Sequence, residues 1–108
     1  MLILFDQGTP VPIRTFLAGH TVKTAAEQGW STLLNGKLLD AADTAGFELL
    51  VTTDKNFPHQ QNLQARRIAI VVIGYAQWPG LKSHVQLVVD AINAAKPRSY
   101  TVVDIPVV

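Results

Sequence analysis

Apolar positions along the chain fall into short continuous runs that alternate with stretches of helical spacing. Residues 1–5 are continuously apolar, the pattern of a strand buried on both faces. The run ends at Asp6-Gln7-Gly8-Thr9-Pro10, where Gly8 permits a tight turn and Thr9 before Pro10 predicts an N-cap with proline at the first helical position. A short helix then carries Ile13, Phe16 and Leu17 and stops near Gly19. His20 to Lys23 predicts a second strand, and Thr24 to Gln28 a helical turn closed by Gly29. Leu38, Leu39, Ala42 and Ala45 recur at helical intervals, which predicts a helix over 36–45 with Asn35 as N-cap and Gly46 closing it. Phe47 to Thr52 is a third strand, 59–64 a helical turn, and Ile68 to Ile73 the most hydrophobic strand. After Trp78-Pro79-Gly80 one long helix buries Leu81, Val85, Val88, Val89 and Ile92, and Ser99 to Ile105 closes as an edge strand.

This alternation predicts a mostly parallel sheet with right-handed crossovers, in one domain spanning 1–108. Composition agrees. Hydrophobic residues are 48% and charged residues only 16%, against about 25% charged in an average soluble domain, which excludes a disordered chain. The low charged fraction also predicts that apolar surface meets a partner, with homodimerisation the expected form. Nine Lys and Arg against eight Asp and Glu leave a net charge of +1, so no bulk field argues for nucleic acid or an anionic membrane. The absence of cysteine excludes disulfides, thiolate metal sites and a cysteine nucleophile. The longest apolar run, Ile68 to Ala76, is far short of the ~20 residues a membrane span needs. The start of the chain has no basic region and no small-residue cleavage site, so a cytoplasmic protein is expected.

In parallel sheets, function collects beyond the carboxyl ends of the strands. Two strands each deliver an aspartate there, Asp6 and Asp54. Paired carboxylates suit a hard divalent cation, which takes oxygen ligands and keeps several waters. Aspartate after a strand is equally a common turn former, and both readings stay open on these residues alone.

The run Met1 to Asp6, the helix beginning near Asn35 and the segment Leu50-Val51-Thr52-Thr53-Asp54-Lys55-Asn56-Phe57 together resemble the PIN-like domain superfamily, and in particular its short bacterial members related to VapC-type toxins. The likeness covers most of residues 1–75, and Thr-x-Asp-Lys-x-Phe is its most specific part. It implies a three-layer α/β sandwich with a four- or five-stranded, mostly parallel sheet between helices. It also implies a magnesium- or manganese-dependent ribonuclease, often a toxin neutralised by a small antitoxin. By motif, Asp6 and Asp54 become metal-holding acids, with Lys55 and Phe57 in their usual places. Three positions depart from the pattern, each from carboxylate to amide: Gln7, Asn35 and Asn56. Two formal negative charges then stand in place of four, which weakens divalent binding and disfavours a second metal.

Several further charged and aromatic residues bear on the same edge. Glu27, before the Gly29 turn, is a candidate third metal ligand or a solvated carboxylate. Asp40 lies about 140° around the helix from Asn35 and does not replace it. Asp43 and Glu48 read as surface charges, Asp90 as remote, and Arg66 and Arg67 as solvated at the amino end of their strand. Lys55 either contacts a phosphate or pairs with an aspartate, and Arg14 points to the same edge. The three histidines have no ligand spacing and read as structural. The amide-rich His59 to Asn62 lines an RNA-binding edge or caps a turn; Trp78 staples the last helix, and Trp30 is the aromatic expected to make exposed contacts.

The leading expectation is therefore hydrolysis of an RNA phosphodiester, with Asp6, Asp54, Asn35, Asn56 and Lys55 at the centre and Asp6, Asp54 and Glu27 as metal ligands. The alternative is a catalytically weakened PIN-like domain that binds nucleic acid or protein. A flavodoxin-like or receiver-like signalling domain shares the strand pattern. It is disfavoured because the first strand-end loop lacks paired acids and no glycine-rich phosphate loop is present.

Overall fold

The computed structural model describes residues 1–55 and 66–106. Asn56, Phe57, the 59–64 turn and His59 to Asn62 lie outside the described residues. The fold is α/β: five parallel strands, β1 (Leu2–Phe5), β2 (Thr21–Thr24), β3 (Leu49–Thr52), β4 (Ala69–Ile73) and β5 (Tyr100–Val103), in the order β2-β1-β3-β4-β5. A 3-10 helix (Val11–Phe16) and helices α1 (Asn35–Thr44), α2 (Trp78–Lys82) and α3 (Val85–Ala94) cover the sheet. The strand centres are apolar on both faces, as a sheet sandwiched between helices requires.

Strand residues alternate between two cores. Ile3, Phe5, Leu49, Val51, Val71 and Ile73 pack with Ile13, Leu17, Leu81, Val88 and Ile92, beneath the 3-10 helix and α2–α3. Leu4, Leu50, Ile70 and Val72 face the other way, onto Leu38, Leu39, Ala42 and Phe47 around α1. This is a three-layer arrangement. The period-2 alternation of each strand sends successive side chains into different cores, so every central position must be apolar. No helix among the described residues is long and apolar enough to cross a membrane.

Several local expectations are corrected. The first helix is 3-10 and carries Pro10 at its cap position, while the Thr9 hydroxyl leaves it to donate to the Val51 carbonyl at 3.0 Å. Asn35 is the first residue of α1 rather than its cap, a place taken by Leu34. The second strand begins at Thr21, not His20. The long C-terminal helix is two, broken at Ser83 and His84. The Ser83 hydroxyl donates back to the Gly80 carbonyl at 3.1 Å, and local bonding of that kind competes with helix continuation. Gly80 itself is fixed by its neighbour: a Cβ there would lie 2.9 Å from the Tyr75 ring.

Three charges expected to be free on the surface are committed. Asp43 Oδ1 accepts from the Arg67 and Ile68 amides at 3.1 and 3.2 Å, and Glu48 Oε2 from the Leu2 amide at 2.8 Å. Each satisfies a backbone donor that enters or begins a strand, where the ladder has not yet formed. Arg66 is not solvated; its guanidinium lies on Asp40, with Nε at 2.8 Å. Trp30 is half-buried, its ring edge-on to Phe47 with centroids 5.9 Å apart. Trp78 packs on Phe16 at 6.1 Å.

Candidate functional site

The strand order decides where a ligand crevice can form. From β1 the chain moves outward to β2, then returns past β1 to build β3 on its other side. The connections at the carboxyl ends of β1 and β3 therefore diverge, and an order of this kind places the ligand crevice between those two strands. Asp6 and Asp54 follow the two strands that flank this point.

Asp6 continues the ladder, its amide donating to the Val51 carbonyl at 2.9 Å. The chain then turns sharply, with the Thr9 amide returning to the Asp6 carbonyl at 3.0 Å and Gly8 at φ +93°, a conformation that favours glycine. Asp6 Oδ1 accepts from the Gln7 amide at 2.8 Å, and Oδ2 accepts from the Thr52 hydroxyl, also at 2.8 Å. The same Thr52 Oγ1 accepts from the Asp54 amide at 3.1 Å. One hydroxyl thus fixes the side chain of one aspartate and the backbone of the other. From α1, the Asn35 amide group donates to Asp54 Oδ2 at 3.4 Å.

The electrostatics follow. Partial burial pushes the Asp6 carboxyl above its ordinary value, and the nearby Asp54 charge adds to the rise. The hydrogen bonds from Thr52 and Gln7 oppose it without cancelling it. Asp54 is exposed and Asp6 half-buried.

The structure brings Asp6, Asp54 and Asn35 together and places Lys55, exposed, directly after Asp54. Glu27 is engaged elsewhere. Its two oxygens take the Arg14 guanidinium at 2.8 and 3.3 Å, and Oε1 also accepts from the Thr24 amide at 2.8 Å. With the Glu27 amide on Thr24 Oγ1 at 3.1 Å this is a capping box on the turn after β2. Arg14, donating mainly to Glu27, pulls that carboxyl below its ordinary value. Among the described residues no three His, Cys, Asp or Glu side chains gather to hold a metal ion. His20 is structural, its Nδ1 3.0 Å from the Met1 amine and its Nε2 2.8 Å from Asn93 Oδ1.

Sequence reasoning missed two residues. Thr9 and Thr52 are the buried polar side chains among the described residues, and both sit at this crevice. Their signal was present: a hydroxyl closing an otherwise apolar strand, and another just past a glycine turn. Compared with family profiles, curated proteins and solved structures, the chain matches none.

Proposed function

We propose that the chain is a metal-dependent phosphodiesterase acting on RNA, of the PIN-like kind that its sequence resembles. The observation that carries this reading is that one buried hydroxyl, Thr52 Oγ1, joins the carboxylate of Asp6 to the backbone of Asp54 at the topological switch point. Burial first, and the Asp54 charge as a smaller contribution, raise the protonation tendency of Asp6, and a bound cation would offset both. The donor set fits one hard divalent ion, which commonly takes one or two carboxylates and keeps its remaining positions for water and phosphate oxygens.

Asp6 and Asp54 would hold magnesium or manganese, and the ion when bound would supply Lewis-acid stabilisation of charge on the phosphodiester. The chain's own residues do the rest. Thr52 holds the Asp6 carboxylate and the Asp54 backbone in register, so neither must reorganise when a ligand arrives. Asn35 steadies Asp54 from α1 without adding charge. Lys55 is the point charge for a phosphate oxygen. Water is the nucleophile: its oxygen bonds to phosphorus, the ester bond to the leaving oxygen breaks, and that oxygen takes up a proton.

A second reading has a specific observation behind it. The Asn35 amide already satisfies Asp54 from within the protein, where a third carboxylate would have demanded a cation. This favours a PIN-like domain that binds RNA or a partner such as a small antitoxin, or pairs with a second copy, without cleaving.

Calorimetric titration of manganese into the metal-free protein separates the two. The hydrolase reading expects binding at roughly millimolar or tighter that Asp6→Asn abolishes, with manganese-dependent cleavage of single-stranded RNA lost in the same variant. No heat beyond dilution would sink the hydrolase and leave the binding module.

A further inference from the structure

The opposite, amino-terminal edge of the sheet carries a cavity of about 520 Å³ that none of the foregoing uses. Its walls are the turn from α1 into β3, the residues entering β4 and the loop from α3 into β5. Three cations line it: Arg67, Lys96 and Arg98, all exposed. Two carboxylates also line it, Asp43 and Glu48, and each spends an oxygen capping the backbone amides described above. The lining charge is positive, three against two.

The α3–β5 loop is fixed in a conformation that an arginine does not choose. Arg98 sits at φ 64°, in the left-handed region, and its amide donates to the Arg67 carbonyl at 3.1 Å. The Ser99 amide returns to the Lys96 carbonyl at 3.0 Å, and the Lys96 amide donates to Ser99 Oγ at 3.2 Å. Glycine would adopt that backbone without strain. The loop instead keeps an arginine there, tied by its backbone to a second arginine that lines the same cavity. Met1, Ala95 and Pro97 are among the apolar residues of the lining.

We infer that this cavity binds a small organic phosphate of about nucleoside-monophosphate size, with the phosphate between Arg67 and Arg98 and the flat organic part against Pro97 and Ala95. Guanidinium forks match phosphate oxygens in pairs, and one positive charge stays in excess once Asp43 and Glu48 are counted, which favours an anion. Size argues against a bare inorganic ion, because the cavity falls in the ~300–1,000 Å³ range of small-molecule sites.

The test is titration of adenosine 5′-monophosphate into the full chain, followed by amide chemical shifts, with adenosine and inorganic phosphate as comparisons. The expected result is shifts confined to the amides of residues 46–48, 67–69, 95, 96 and 98, with Kd roughly millimolar or tighter and both comparison compounds weaker. Arg98→Gly suits the left-handed backbone and so keeps the loop, while Arg67→Gln keeps the carbonyl that Arg98 bonds. Each is expected to weaken binding about tenfold with the spectrum of the free protein otherwise unchanged. The inference is overturned by silent amides at this edge on the order of 10 mM ligand, by shifts appearing at the carboxyl edge instead, or by unchanged affinity in both variants. Inorganic phosphate binding as tightly as the nucleotide would overturn the organic part of it.

Discussion

Asp6 is where the chemistry of single residues bears most directly on stability. Its carboxyl is raised by burial first and by Asp54 second, so the fold holds its proton more tightly than the unfolded chain does. A group of this sign contributes stability below its unfolded value of about 4, and loses that contribution as pH rises through the higher folded value. The Asp6→Asn variant is therefore expected to gain stability relative to the parent as pH is raised from about 4 to 7; thermal unfolding at a series of pH values checks it, and parallel curves would contradict it. Thr52 tests the other half of the arrangement. Thr52→Val keeps the shape at a fully buried position but leaves the Asp54 amide and the Asp6 carboxylate each short of a partner. A loss of about 1–3 kcal/mol in urea unfolding is expected, together with a further rise of the Asp6 carboxyl followed by carbon-13 shifts.

At the scale of elements, the turn after β2 shows how a sequence signal can be right about form and misdirect about role. Thr24 and Glu27 stand in the capping-box spacing and make both of its reciprocal bonds. That bonding, with Arg14 from the 3-10 helix, occupies the carboxylate that sequence alone left available to a metal. Glu27 is lowered, so it contributes stability above its ordinary value near 4.5 that disappears as pH falls through the folded value. Glu27→Gln is expected to lower the melting temperature at neutral pH, with the gap to the parent closing below about pH 4; a gap that persists in acid would show the loss to be steric. The strands, α1 and the two strand-end aspartates were legible because periodicity and position report them directly. What escaped was local hydrogen bonding: whether Thr9 caps its helix or reaches the Val51 carbonyl, and whether Ser83 lets a helix continue, depends on partners that no spacing encodes. Asp43 and Glu48 read as surface charges for the same reason, since their partners are backbone amides distant in sequence.

At the scale of the molecule, burial is concentrated in the three central strands. Every residue of β3 and β4 is buried, and so are three of the four in β1, whereas β2 alternates exposed and half-buried positions. Amide hydrogen exchange is expected to be slowest in β3 and β4 and fastest among the strands in β2, by orders of magnitude in protection. Equal protection across all five strands would mean that the sheet opens only as a whole. Both edges of the sheet that carry a proposed site rest on β3: the Glu48 carboxylate accepts from the Leu2 amide just before it, and Thr52 ends it beside Asp6.

The all-parallel connectivity also dictates the order in which the protein can assemble. Among the described residues every strand pairing is parallel, so none is made through a hairpin. Leu2 meets Thr21 across 19 residues, Leu49 meets Ala69 across 20 and Ile70 meets Tyr100 across 30, while Ile3 meets Leu49 across 46. Each doubling of a loop adds about 0.6 kcal/mol of closure entropy, so the β1–β3 pairing has the largest entropic barrier to nucleation. That pairing is the one that brings Asp6 to Thr52. The two acids consequently meet only when the longest loop has closed, and a nascent or partly folded chain carries both aspartates apart, before the proposed site exists.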